Sequence, residues 1–238
     1  LIMQRFFPLS FLFLLPLAGV FSYPGYFLSL RDAVYAQELN ADEIAPLYKD
    51  ALEKARGSLA GQELHIMLSR CEYMMGRAYQ YEERKAEAAA RYEEGISWAE
   101  KALEAGESAE AWRMLAENIS QSCAVKPVSY AMANGLKVER YAKNALKLDS
   151  RNAGALYMIA ARWVFAPSPF NNYKRGIQMM EDIITQGAME QDDRFNVYSA
   201  IGYAYFQQKK YTEAKPWFLK SLEMYPTNKF VRDLLEKS

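Results

Sequence analysis

The sequence has 238 residues, of which 51% are hydrophobic and 24% are charged, and its formal net charge is zero. This composition is typical of a folded protein and excludes a disordered chain. Without an excess of basic residues, the charge balance gives no support for nucleic acid as a partner. The length allows one sizeable core or a short array of stacked units.

Residues 1–36 are predicted to form a separate N-terminal segment. A single Arg5 precedes the apolar run from Phe6 to Phe21, and Val34–Ala36 has the small or β-branched residues of a cleavage site. We therefore predict a secretory signal peptide that is cleaved before Gln37, which makes the protein exported, either periplasmic or associated with the cell envelope. The alternative is an uncleaved anchor, because the uncharged stretch exceeds the about 20 residues that span a bilayer. Any membrane contact would then be made through this segment alone.

The chain from Ala41 onward has the pattern of an all-α protein. Apolar residues recur at intervals of three and four, which predicts helices of about 12 to 20 residues. The predicted breaks between them lie at residues 57–61, 106–108, 126–135, 149–154, 167–172, 187–193 and 226–228. Links this short predict antiparallel neighbouring helices, so residues 37–238 are expected to form one helical repeat domain.

The most specific pattern is in the last segment of the chain. It has the order Tyr198-x-x-Ile201-Gly202-x-x-Tyr205, then Ala214-x-x-x-Phe218-x-x-Ser221, then Pro226. This pattern resembles a tetratricopeptide repeat (TPR). The resemblance implies a helix hairpin in which Gly202 allows close approach of the second helix and Pro226 ends that helix.

The same register recurs three times upstream with weaker matches. These hairpins are centred on Gly76 and Ala99, Ala116 and Ala142, and Ala160 and Met180. The resemblance implies a right-handed α-solenoid of about four antiparallel hairpins, capped at its N-terminus by a helix from Ala41 to about Arg56. Extra residues predict enlarged loops within all three upstream hairpins, including Ser120–Gly135 and Ala166–Asn172. An irregular helical bundle is the alternative.

The sequence offers no catalytic constellation, so we predict that the protein is not an enzyme and uses no metal and no cofactor. His65 is the only histidine, and no Gly-rich phosphate loop is present. Aligning the repeats places Cys71 and Cys123 twelve positions out of step, about 18 Å along a helix. Disulfide Cα atoms lie within about 7 Å, so the alignment disfavours a bridge between these two cysteines.

The resemblance implies that the first helices of the hairpins line a concave groove that binds a protein or peptide partner. The residues expected to face this groove are Tyr73, Arg77, Arg113, Met114, Glu117, Tyr157, Met158, Phe165, Ser199, Tyr203 and Phe206. Exposed aromatic residues among them would anchor a partner, and the alternative is that about half of the set packs in the core.

A second candidate partner site is the enlarged loop with Pro167, Pro169, Phe170 and Asn171, which either meets a partner or packs on its own hairpin. The function predicted from these features is a non-catalytic binding scaffold of the cell envelope. The alternative is a TPR subunit of a periplasmic transport system that binds a small apolar ligand.

Overall fold

The computed structural model of the protein describes residues 23–186 and 189–238, which form eleven α-helices and no strand. The helices are α1 Gly25–Ala36, α2 Ala41–Ser58, α3 Gly61–Tyr81, α4 Lys85–Glu104, α5 Ala109–Val125, α6 Val128–Leu148, α7 Ala153–Phe165, α8 Tyr173–Thr185, α9 Gln191–Gln207, α10 Tyr211–Leu222 and α11 Lys229–Glu236. Helices α3 to α10 form four hairpins, and each hairpin packs on the next. This arrangement confirms the predicted α-solenoid.

Glycine allows the two helices of a hairpin to approach closely in the first and last repeats. A Cβ atom added at Gly202 would lie 2.6 Å from Cδ1 of Phe218, and one added at Gly76 would lie 2.5 Å from Cε1 of Tyr92. In both hairpins an aromatic ring of the second helix therefore rests directly on the backbone of the first. The close approach of the two helices that the repeat pattern predicted at Gly202 is confirmed.

We expect Gly202→Ala to lower the free energy of unfolding by about 1–3 kcal/mol, because the added methyl group overpacks the contact with Phe218. Gly57→Ala is the matched control, since Gly57 lies in α2 with no atom within 4 Å of an added Cβ. Helix propensity alone then predicts a gain of about 0.5–1 kcal/mol. Urea denaturation measures both changes. Equal effects at the two positions would contradict the close packing.

The hairpin links correct one part of the sequence prediction. The link between α3 and α4 has three residues, 82–84, as does the link 208–210 between α9 and α10. The central residue of each is left-handed, with φ of 60° at Glu83 and 59° at Lys209. The prediction of an enlarged loop in the first hairpin was therefore wrong, because its extra residues lengthen α3 and α4.

The predicted loop at Ser120–Gly135 is also absent. Helix α5 continues to Val125 and α6 begins at Val128, so two residues separate them. Near the end of the predicted loop, the Asn134 side-chain amide donates to the carbonyl oxygen of Tyr130 within α6. The predicted enlargement at Ala166–Asn172 is confirmed as the link between α7 and α8.

Helix α1 falls within the segment predicted as a signal peptide, and it packs in the same core as the helices that follow. Its buried apolar side chains are Phe27, Leu30, Val34 and Tyr35, each at most 1% exposed. It also pairs with α2, the predicted capping helix. Cleavage before Gln37 stays a prediction, and such a cut would remove α1 from the fold.

The first 22 residues, which include Arg5 and the apolar run, lie outside the described part of the chain. Among the helices that the structure describes, none combines the length and the apolar character needed to cross a membrane.

Candidate functional site

The first helices of the hairpins, α3, α5, α7 and α9, contact one another in succession, and we call the surface they form the inner face. Helix α1 lies against this face at both ends of the array. Near its start, the Tyr23 ring lies under Arg70 of α3, with Cζ 4.5 Å from the ring centroid. Near its end, the Tyr35 ring packs edge-on against Phe195 of α9 and stacks on Tyr225, with centroids 5.3 and 5.1 Å away. The inner face therefore already holds one helix of its own chain.

The C-terminal end of α1 is capped by the last repeat. The Asn228 side-chain amide donates to the backbone carbonyl of Tyr35 at 2.7 Å, and the Thr227 hydroxyl donates to that of Ala36 at 2.8 Å. In return, the Gln37 side chain accepts from the backbone N–H of Lys229 at 2.8 Å. Carbonyls that a helix end leaves unpaired are thus satisfied by protein groups, which fixes α1 in place.

A buried ionic network joins α1, α5 and α9 on the inner face. Arg113 donates to both carboxylate oxygens of Asp193, at 2.5 and 3.1 Å, and to Glu117 at 2.7 Å. Arg31 of α1 contacts Asp192 at 3.4 Å. Burial raises the pKa of Asp193 to about 7, and the Arg113 charge opposes this shift. The Arg113 guanidinium is therefore the cation that pairs with both buried carboxylates, Asp193 and Glu117.

The N-terminus of α7 is shaped around this network. A Cβ atom at Gly154 would lie 2.0 Å from Nε of Arg113, so only glycine leaves room for the guanidinium to pass. Asn152, which caps α7 through the backbone N–H of Ala155, also donates to Glu110 at 2.6 Å.

The structure separates the predicted groove residues into two groups. Those on the inner face or at its edge are Tyr73, Arg77, Arg113, Glu117, Tyr157, Phe165 and Tyr203. Those that pack between helices are Met114, Met158, Ser199 and Phe206. For example, the Ser199 hydroxyl donates to the carbonyl of Phe195 within α9 and contacts the Ser221 hydroxyl of α10. The second group is a correction, because its side chains serve the packing of the repeats.

An aromatic cluster lies at the surface where α7, α9 and α11 meet. The Tyr203 ring lies 5.2 Å from Phe165 and 6.3 Å from Phe230, centroid to centroid. Phe165 is 48% exposed and Phe230 is 45% exposed. We call these three residues the aromatic rim.

The predicted loop candidate extends into solvent. Phe170 is 70% exposed, and Pro167 and Pro169 beside it are also exposed. The Asn171 amide donates to the hydroxyl of Tyr173, 3.1 Å away. Its contact with a partner stays a prediction.

Several residues that are exposed, or that belong to the ionic network, were not predicted from the sequence. Val128, Met132 and Leu136 form a stripe on α6 and are 76–81% exposed. This stripe was not predicted because the segment was interpreted as a loop. Residues of α1 were assigned to the signal peptide. The helical spacing of Phe27, Leu30 and Val34 around a charged Arg31 could have indicated a packed helix instead.

The cysteine and histidine side chains, which are the most relevant to catalysis or metal binding, do not form one cluster in the described part of the chain. Both cysteines are free thiols, and burial raises the pKa of Cys71 to about 12. His65 lies near the start of α3 against Trp98, with ring centroids 5.5 Å apart. Within residues 23–186 and 189–238, no three or more His, Cys, Asp or Glu side chains are placed to hold a metal ion.

Two cavities in the described part of the chain open to solvent. One, of about 370 Å³, lies where α9 begins and just beyond the end of α10, and the other, of about 240 Å³, lies among α2, α3 and α4. Neither is lined by a predicted groove residue. Their linings are Met189, Gln191, Arg194, Glu223 and Met224 for the first, and Ala45, Tyr48, Lys49, Met75, Tyr79, Glu87, Ala90 and Arg91 for the second.

The fold and the repeat pattern define a tetratricopeptide-type α-solenoid, and the tetratricopeptide repeat family matches residues 195–228. The family described as Regulator of microtubule dynamics protein 1-3 matches residues 28–183, which is more than half of the chain. The protein belongs to that family. No relative was found among the curated proteins.

Among solved structures, one similar chain is YrrB, described as a TPR protein with an unusual peptide-binding site. It is 15% identical, the match covers 90% of this chain and 91% of that chain, and the TM-score is 0.41. A likeness at this level gives no guide to the site.

Proposed function

We propose that the protein is a non-catalytic scaffold that binds a protein or peptide partner, with the aromatic rim as its anchor. The observation that carries the proposal is the exposure of Phe165 and Phe230 on either side of Tyr203. Clustered aromatic side chains that are left in water mark interaction sites, and such residues carry much of the binding energy at interfaces. Tetratricopeptide-type folds are generally binding scaffolds, in agreement with this proposal.

A helical segment is the partner that the inner face suits best. The face binds α1 through aromatic contacts along one side and an ion pair from Arg31 to Asp192. Recognition of an amphipathic helix in a groove uses this combination of contacts. The rim lies where the inner face ends, so a partner helix could dock there without displacing α1.

The family description suggests polymerised tubulin as the first partner to test. The predicted signal peptide suggests the cell envelope instead. The two are compatible only if the chain is not cleaved before Gln37 and the array lies on the tubulin side of the membrane. The small apolar ligand is less well supported, because both described cavities are open and are lined partly by charged residues.

Co-sedimentation with polymerised tubulin, together with affinity capture from cells, tests the proposal. The variant Phe165→Ala/Phe230→Ala removes the rim, and we expect it to weaken partner binding at least tenfold. The matched control is Leu148→Ala/Leu219→Ala, which removes side chains of similar exposure, 50% and 52%, elsewhere on the array.

Binding lost in the rim variant and kept in the control supports the proposal, and the captured partner identifies the compartment. If both variants recover the same partners with the same affinity, the rim is not the binding site.

A further inference from the structure

The first half of α6 is a helical segment that its own chain leaves uncovered on one side. None of the residues 128–137 is buried, and the buried residues of α6, Ala142 and Ala145, both lie in its second half. Val128, Met132 and Leu136, which we call the α6 stripe, are 76%, 81% and 77% exposed. They are the most exposed large apolar side chains in the described part of the chain. Contiguous apolar side chains that are left in water mark an interaction site.

The α6 stripe is a ridge that lies between two shallow grooves. Residues four apart on a helix form one row, and the stripe fills such a row with large side chains. The neighbouring rows hold small residues, Ser129 and Ala133 on one side and Ala131 and Gly135 on the other. A Cβ atom added at Gly135 would meet no atom within 4 Å, so that groove is open. A ridge beside a groove is self-complementary, because the ridge of one copy fits the groove of another.

The charges around the α6 stripe are complementary from one end to the other. Just before α6 begins, Lys126 packs on the Tyr130 ring, with Nζ 4.3 Å from the centroid, and pairs with Glu93 of α4. Glu93, which is 61% exposed, and the exposed Glu94 therefore place negative charge beside the first turn of α6. At the other end of the stripe, the same row continues to Arg140, which is exposed and has no acidic partner among the described residues.

We propose that the α6 stripe packs against the α6 stripe of a second copy of this chain, with the two helices antiparallel about a two-fold axis near Met132. Helices whose i±4 ridges interdigitate cross at about −50°. The antiparallel direction turns the basic end of each helix toward the acidic side of the other, whereas parallel helices would place Arg140 beside its own copy. A lipid surface fits less well, because the acidic groups beside the stripe would be repelled by an anionic membrane.

Sedimentation velocity of the full chain over a concentration series tests the proposal. One helix face supplies fewer than the about 20–30 residues per side of a stable interface, so we expect a weak dimer with a Kd on the order of 10 μM. The inference is independent of the proposed function, because the aromatic rim lies on α7, α9 and α11. The rim variant Phe165→Ala/Phe230→Ala should therefore dimerise as wild type does.

Two variants separate the fit of ridge and groove from nonspecific apolar association. Met132→Glu places like charges at the axis and should weaken dimerisation at least about tenfold. Gly135→Leu makes the surface more apolar and favours the helix, but it fills the groove and should also weaken dimerisation about tenfold. Leu148→Glu is the control, because Leu148 lies at the end of α6, outside the stripe, and is 50% exposed.

A charge exchange tests the antiparallel direction. Arg140→Glu should weaken dimerisation a few-fold, and the double variant Arg140→Glu/Glu93→Lys should recover it, because the two changes restore opposite charges across the axis. The proposal is overturned if wild type stays monomeric up to about 100 μM, ten times the expected Kd. It is also overturned if Met132→Glu or Gly135→Leu dimerises as wild type does, or if the double variant recovers nothing. Binding of the stripe to phosphatidylserine-containing vesicles without dimerisation would assign it to a lipid surface instead.

Discussion

Replacement of Arg113 by Met is expected to lower the free energy of unfolding by about 3–5 kcal/mol. The loss arises because Asp193 and Glu117 would stay buried, at 4% and 6% exposure, without the cation that now contacts both. Methionine keeps most of the aliphatic length, so the change removes charge and hydrogen bonds more than volume. Urea denaturation at pH 7 measures the effect.

The same variant should show a pH dependence of stability that is shifted to higher pH than that of wild type. Burial already raises the pKa of Asp193 to about 7, and loss of the opposing Arg113 charge raises it further. The folded variant then binds a proton that the unfolded chain, with an Asp pKa of about 3.9, releases. The stability of the variant therefore rises as the pH falls through this higher folded pKa toward 4. Because the wild-type pKa is already about 7, the deficit relative to wild type shrinks mainly above pH 7 and changes little below about pH 6.

Lys54→Met is the control for Arg113→Met. Lys54 pairs with Asp50 on the exposed surface of α2, and such pairs contribute about 0.3–0.5 kcal/mol. The triple variant Arg113→Met/Glu117→Gln/Asp193→Asn should recover part of the lost stability, because no unpaired charge remains. A loss in Arg113→Met no larger than in Lys54→Met would show that the buried network does not stabilise the fold.

A chain that begins at Gln37 is expected to lose cooperative unfolding. Four side chains of α1 are fully buried, and burial of each contributes about 1.5–3 kcal/mol, or about 6–12 kcal/mol together as an upper estimate. That is comparable with the whole stability of a typical domain, about 5–15 kcal/mol. Removal of α1 also leaves Asp192 without Arg31 and exposes Phe195 and Tyr225.

The matched control is a chain that begins at Tyr23, which keeps α1 and should unfold with the midpoint of the full sequence. Thermal unfolding followed by circular dichroism compares the two, and a synthetic peptide of residues 23–36 should restore the shorter chain when added in excess. An unchanged midpoint for the chain that begins at Gln37 would mean that α1 is dispensable. The outcome also bears on the predicted cleavage, since a mature protein cut there would have an empty inner face.

The sequence predicted the solenoid well because the repeat pattern encodes local packing. Gly202 and Phe218 meet within one hairpin, so their fixed spacing is visible without knowledge of the rest of the chain. Helix α1 was missed because an apolar helix after an apolar N-terminal run looks like part of a signal peptide. The loop predicted around Gly135 was wrong because weak helix formers can remain helical within a long helix.

The candidate site was only partly predictable. Register within a helix identified Arg77 and Arg113, but it could not separate the inner face from the adjacent packing face that holds Met158 and Ser199. The pairing of Arg113 with Asp193 joins residues 80 positions apart, which no local pattern specifies. Phe230 was missed because it lies beyond the last repeat motif.

The position of α1 has a consequence for how the chain reaches its structure. Its contacts with Asn196, Tyr225 and Asn228 span 161 to 193 residues of sequence. During synthesis α1 is among the first described segments to leave the ribosome, yet these partners emerge last. An open solenoid can grow repeat by repeat from its N-terminus. Here the final closure must wait for the last helices, so the end of α1 around Tyr35, which packs on Phe195 and Tyr225, stays uncovered until those residues are made.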